Sequence, residues 1–161
     1  MSYTFDVNGR LKEIAGREWD IAQIKARFGN LVSNGISQKK LDREKTLREK
    51  VAIIERVQRR AEEYCYLTGN CAKGCATALF EEFGLGNMEI IRGLAPFPGI
   101  AMSGGICGPV AGGLMTLGLF FSHKDVTNHD AAKSYIRSRM FIKKFAAVFG
   151  SLHCPDIQKK L

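Results

Sequence analysis

Long hydrophobic runs, histidine and tryptophan are all scarce in this chain of 161 residues. The first twenty residues mix charges with isolated apolar side chains, so no cleaved secretory signal is expected and a cytoplasmic location follows as the expectation. No Cys-x-x-Cys-His run occurs, which excludes covalent attachment of a c-type haem. The three histidines are scattered: His123 and His129 flank a loop without a recognised zinc spacing, and His153 stands alone beside Cys154. No basic motif is interleaved with aromatics, so no nucleic acid partner is expected. Residues 93–122 lack Asp, Glu, Lys, Arg and His, and that length could span a bilayer. Pro96, Pro98, Gly104-Gly105 and Pro109 leave only about 13 residues of unbroken helix there, too few for roughly 30 Å of hydrocarbon. No membrane span is expected.

What remains is a globular composition. A chain of this length fits one domain and can bury a core without disulfides. Hydrophobic residues at 45% and charged residues at 25% exclude a disordered chain. The net charge of +8 is uneven. Residues 133–160 hold seven Lys/Arg against Asp156, which gives +6, whereas 67–132 hold three basic and five acidic residues, which gives −2. A solvated basic helix face accounts for this better than an anionic partner does.

The pattern is helical throughout, so the expected fold is all-α: a single-domain helical bundle with a Gly/Pro-rich cofactor loop. Residues 1–40 read as a helical extension and 41–161 as one compact unit. Ile21, Ile24, Phe28 and Leu31 recur on one face of a helix that Ser33-Asn34-Gly35 breaks. A longer helix is expected over 41–66, with Leu47, Val51, Ile54, Ala61 and Cys65 along one stripe that suits a neighbouring helix or a second subunit. Asn70 can cap a short apolar helix over 71–83, stopped by Gly84. Gly and Pro forbid regular structure beyond Arg92 until Gly108-Pro109, where Pro suits a first helical position. A basic amphipathic helix follows, with Tyr135, Ile136, Phe141, Ile142, Phe145 and Val148 on its apolar side and Gly150 at its end.

The cysteines carry the chemistry. In a reducing compartment they serve metal binding or catalysis, or are buried as small apolar residues, and five cannot all pair. Cys71 and Cys75 share one helix face with Cβ atoms about 5–6 Å apart, beyond the roughly 3.5–4.5 Å of a disulfide but suited to a shared metal centre. Cys107 precedes a helix start, where free amides and the dipole favour a thiolate, so it is a candidate ligand or reactive nucleophile. Gly104, Gly105 and Gly108 let backbone approach a cofactor and offer N–H donors. Cys154 lies just past a helix end, free to point at a site built by other elements, with His153 as an alternative ligand.

Asn70-Cys71-Ala72, Phe83-Gly84-Leu85, the run Gly104-Gly105-Ile106-Cys107-Gly108-Pro109-Val110-Ala111-Gly112, and Phe149-Gly150-Ser151-Leu152-His153-Cys154 together resemble the C-GCAxxG-C-C family of redox-active proteins. They also resemble the non-haem domain of split-Soret cytochromes, where a similar domain accompanies an iron–sulfur centre. The resemblance covers about residues 45–158. It implies a mostly helical fold, cysteine-based redox or metal chemistry and a homodimer. By position it assigns Cys71, Cys107 and Cys154, with Pro109 in an alanine place and a further cysteine missing beyond Cys154, a gap that Cys75, or less readily Cys65, would fill. The expected function is therefore an iron–sulfur or other thiolate-bound metal protein held by Cys71, Cys75, Cys107 and Cys154, acting in electron transfer with a redox partner protein. The alternatives are a thiol redox protein with Cys107 reactive, and a structural zinc or interaction protein.

Overall fold

The computed structural model describes residues 6–160. Within them ten helices follow one another and no strand forms, an all-α chain. They are α1 (Val7–Gly16), α2 (Ile21–Asn34), α3 (Arg43–Arg48), α4 (Lys50–Thr68), α5 (Cys71–Phe83), α6 (Met88–Gly93), α7 (Gly99–Met102), α8 (Gly108–Phe121), α9 (Ala132–Phe149) and α10 (Cys154–Gln158). Local chemistry sets the boundaries. The Asp20 carboxylate accepts from the Gln23 amide at 2.9 Å and the Asn70 side chain from the Lys73 amide at 3.0 Å, each satisfying an orphan donor of a first turn. Gly84 and Gly150 end α5 and α9 in the left-handed conformation.

Helix α5 is the centre of the molecule, packed by α4 on one side and α8 on the other, with α9 laid on α8 and α2 on α4. Small residues let it sit there. Ala72 and Ala76 are fully buried, and a Cβ on Gly112 of α8 would come within 2.9 Å of the Ala72 carbonyl oxygen. Gly108 and Gly112, one turn apart, both serve this close helix packing. Ala72, Ala76, Phe80, Ile91 and Leu94 form one core cluster. A second gathers Leu31, Tyr64 and Ala78 between α2, α4 and α5, and a third joins Cys107, Val110 and Ile157 to Phe141 and Phe145 of α9.

Helices α4 and α5 are also tied by charge. Arg56 donates to both oxygens of Glu82 at 2.8 and 2.6 Å, a bidentate geometry that fixes register. The buried Tyr64 hydroxyl donates to Glu81 at 2.7 Å and accepts from Arg27 of α2 at 3.0 Å. Burial, then the Glu81 carboxylate, push the Tyr64 phenol well above its usual range.

Two details differ from the sequence expectation. The helix expected over 41–66 is interrupted at Glu49, whose ψ of 11° relaxes the turn between α3 and α4. Leu47 and Val51 lie in the exposed part of the proposed stripe. On α9, Tyr135, Ile136 and Val148 are exposed, and Phe141 and Phe145 face the core. No helix among the described residues is long and apolar enough to cross a membrane.

Candidate functional site

Five free thiols, Cys65, Cys71, Cys75, Cys107 and Cys154, come from the end of α4, the first two turns of α5, and the starts of α8 and α10. The Asn70 cap that begins α5 fixes Cys71 as its first residue, and the same side chain donates to the Ala95 carbonyl at 3.0 Å, tying the loop after α6 to this corner. The Cys71 sulfur rests against Gly108. A Cβ on Gly108 would lie 2.4 Å from it, so only glycine leaves room for that thiol.

Cys107 and Cys154 are positioned by a short antiparallel contact. Ile106 and His153 form an isolated β-bridge, flanked by the Cys107 amide donating to the Leu152 carbonyl at 2.8 Å and the Cys154 amide donating to the Gly105 carbonyl at 3.0 Å. Side chains alternate across such a ribbon. Cys107 and Cys154 therefore share one face as diagonal neighbours, and Ile106 and His153 share the other. His153 is exposed, stands at the N-cap position of α10 without a side-chain cap bond and faces away from Cys107 and Cys154, so the fourth-ligand alternative for it has no geometric support. The Gly105 amide is committed to the Gly99 carbonyl at 2.8 Å, which makes this glycine part of the frame instead of a donor to a cofactor.

The loop before Cys107 is unusual. Gly99, Ile100, Ala101 and Met102 all have positive φ, 54, 49, 55 and 60°, a single left-handed turn in α7. Each non-glycine residue there costs roughly 1–2 kcal/mol. The turn lies against the site: a Cβ on Gly99 would sit 3.6 Å from the Cys154 Cβ. Between this turn and α8 runs an apolar groove of about 760 Å³, lined by Phe97, Ile100, Ile106, Leu114 and Met115, with His123 and Lys124 at its edge.

The thiols act on one another. Burial first, then the neighbouring Cys71 and Cys154 sulfurs, push the Cys107 thiol up to about 12. Burial likewise raises Cys71, reinforced by Cys65 and Cys154. Cys65 and Cys75 act directly on one another: that interaction holds the Cys75 proton in place and lowers Cys65, so Cys65 ionises first of the pair. The expectation of a lowered pKa at Cys107 is thus reversed. Cys107 does stand at the N-cap of α8, but its side chain makes no cap hydrogen bond and faces other sulfurs in a buried setting, where desolvation outweighs the dipole.

Cys71, Cys75, Cys107 and Cys154, expected in one site, act electrostatically within one network with Cys65, the less ready candidate for the fourth position. The signal for Cys65 was Gly74: a Cβ there would meet the Cys65 amide nitrogen and Sγ at 2.5 Å each, so α4 passes against α5 at that residue. Among the described residues, no three His, Cys, Asp or Glu side chains are arranged as a formed metal-ion site. The Cys65 thiol donates to the Cys71 carbonyl at 3.7 Å; Cys65 acts on Cys75 and Cys154 on Cys107, and Cys71 acts on a member of each pair.

The family described as "Putative redox-active protein (C_GCAxxG_C_C)" matches residues 69–161, more than half the chain. The protein belongs to this family. Its signature order is met by Cys71, then Gly74-Cys75-Ala76, then Cys107 and Cys154, with Leu79 where the second glycine stands. The GCAxxG element thus falls on α5, not on residues 107–112, and no cysteine beyond Cys154 is required. The structure gives the element a physical sense: Gly74 admits α4, and Ala76 lies beneath Gly112 of α8. No curated protein and no solved structure matched the chain.

Proposed function

We propose that this C-GCAxxG-C-C protein ligates an iron–sulfur cluster through Cys71, Cys75, Cys107 and Cys154 and passes electrons to a redox partner protein. The observation that carries the reading is that the four signature cysteines, from three neighbouring helices, act on one another, with Cys71 acting on both Cys75 and Cys107. Soft thiolates in this number fit what such clusters take as ligands. The Gly108 cradle fits too, since it holds the Cys71 sulfur where any larger residue would displace it. When bound, the cluster supplies one-electron redox chemistry. The chain's own part is to hold the sulfurs, release their protons as the metal enters, and exclude water. Cys107 and Cys154 are aimed from one face of the 105–107/152–154 ribbon, and α5 presents Cys71 and Cys75 one turn apart.

The reactive-Cys107 alternative is disfavoured by the raised pKa of that thiol. A homodimer belongs to the same reading, supported by the exposed Leu47 and Val51 on α3 and α4. Anaerobic wild-type protein made with ample iron should contain both iron and acid-labile sulfide. Cys71→Ser or Cys107→Ser should lose most of both, and Cys75→Ala should lower cluster content with the fold retained. A colourless wild type that binds only zinc would sink the proposal.

A further inference from the structure

Cys65 precedes the family-matched segment, yet its side chain is built into the site. The α4 and α5 backbones meet at Gly74, where a Cβ would lie 2.7 Å from the Cys65 Cα as well as 2.5 Å from its sulfur. The next residue is Cys75, whose thiol acts directly on that of Cys65, while the Cys65 thiol donates to the Cys71 carbonyl at 3.7 Å. Further along the two helices the pairing is fixed by the Arg56–Glu82 fork and the Tyr64–Glu81 hydrogen bond. Both thiols are half-buried, and Cys65 borders the exposed Tyr66.

The other cysteines are less well placed to pair. Cys71 and Cys75 sit one turn apart on one helix, with Cβ atoms about 5–6 Å apart. Cys107 and Cys154 are diagonal across the Ile106–His153 bridge. Diagonal Cα atoms are about 7–8 Å apart, beyond the usual disulfide span of about 4.4–6.8 Å.

We propose that Cys65 and Cys75 are an oxidisable dithiol that closes a disulfide between α4 and α5 when the protein meets a hydroperoxide. The Cys65 sulfur attacks the peroxide oxygen, the O–O bond breaks, and a sulfenic acid forms as the leaving oxygen takes a proton to become water or an alcohol. The Cys75 sulfur then attacks the Cys65 sulfur, the S–O bond breaks, and water leaves with the Cys75 proton. Two thiols are oxidised by two electrons and one hydroperoxide is reduced. If the proposed cluster ligation holds, the disulfide also removes Cys75 from the ligand set; this consequence alone rests on that reading.

The test uses the full-length protein, metal-free and reduced, with one to five equivalents of hydrogen peroxide, followed by alkylation and tryptic mass spectrometry. Cleavage after Lys73 separates residues 61–73, which hold Cys65 and Cys71, from residues 74–92, which hold Cys75. The expected result is a linked 61–73/74–92 pair that persists in Cys71→Ser and disappears in Cys65→Ser. A dominant link through Cys71, Cys107 or Cys154, or no intramolecular link in the wild type, overturns the proposal. Iron and sulfide measured on Cys65→Ser keep the two ideas apart. A variant that loses the link but loads iron as wild type supports both, and a wild type that forms the link but never loads iron sinks only the cluster.

Discussion

Replacing Gly108 with alanine tests whether the seat of the Cys71 thiol is what the site depends on. The added Cβ would stand 2.4 Å from the Cys71 sulfur and 2.9 Å from the Ala72 amide nitrogen. Ordinary contact begins near 3.4 Å, so the sulfur must withdraw by about 1 Å, and α8 must lift from a backbone atom that cannot turn aside. Overpacking of this kind costs about 1–3 kcal/mol, or roughly 2–12 °C in melting temperature for a chain of this size. A ligand displaced by that much exceeds the roughly 0.5 Å within which a metal constellation must be held. Gly118→Ala is the control in the same helix: its Cβ meets nothing within 4 Å. It should stabilise by about 0.4–1 kcal/mol through lower backbone freedom in the unfolded chain. Urea unfolding of both metal-free variants gives the stabilities, and iron and sulfide after anaerobic reconstitution give the loading. If Gly108→Ala unfolds at the wild-type midpoint and loads as much iron, the seat is not a constraint and the reasoning fails.

Three further outcomes follow from the same geometry. With its pKa pushed up to about 12, Cys107 in the metal-free protein holds roughly one part in ten thousand of thiolate at pH 8, against roughly a quarter for an ordinary cysteine. Iodoacetamide should therefore label Cys107 well after Cys65, at a rate rising about tenfold per pH unit through pH 7–10; labelling ahead of Cys65 would contradict this. Met102 is 81% exposed and held at φ 60°, so Met102→Gly should raise the thermal midpoint by an amount equivalent to about 0.5–1 kcal/mol, whereas a fall would mean the left-handed turn carries no strain. Light scattering should give twice 17.8 kDa at micromolar concentration, and the monomer mass would remove the dimer.

How much of this was legible in the sequence depends on the range of the interaction. Helix α5 was readable to the residue, because Asn70 and Gly84 are local signals whose physics is complete within a few positions. The start of α8 at Gly108-Pro109 and the end of α9 at Gly150 were readable for the same reason. The one-residue relaxation at Glu49 was not, since no glycine or proline marks it. Nor was the left-handed turn at 99–102, because Ile100, Ala101 and Met102 have side chains that disfavour it; it exists through longer contacts such as the Gly105 amide on the Gly99 carbonyl. The exposed Tyr135 and Ile136 show a further limit. Periodicity locates apolar positions on α9, but α8 decides which of them it covers.

The site shows the same division in its electrostatics. The four signature positions were legible from residue type, spacing and resemblance, because which residues carry a thiol is plain in the sequence. Their protonation is a property of company. A thiol at a helix start, considered alone, should ionise easily, and that argument pointed at Cys107. Placed among other sulfurs in a buried pocket, Cys107 is instead held neutral, and the pair that shares a proton unequally is Cys65 with Cys75. A buried group of neutral thiols binds little until a cation enters. Metal loading and proton release should therefore be one event in this protein. Titration of the released protons against added ferrous iron would measure the coupling, and the thiols raised most, Cys75 and Cys107, should contribute nearly one proton each at pH 7.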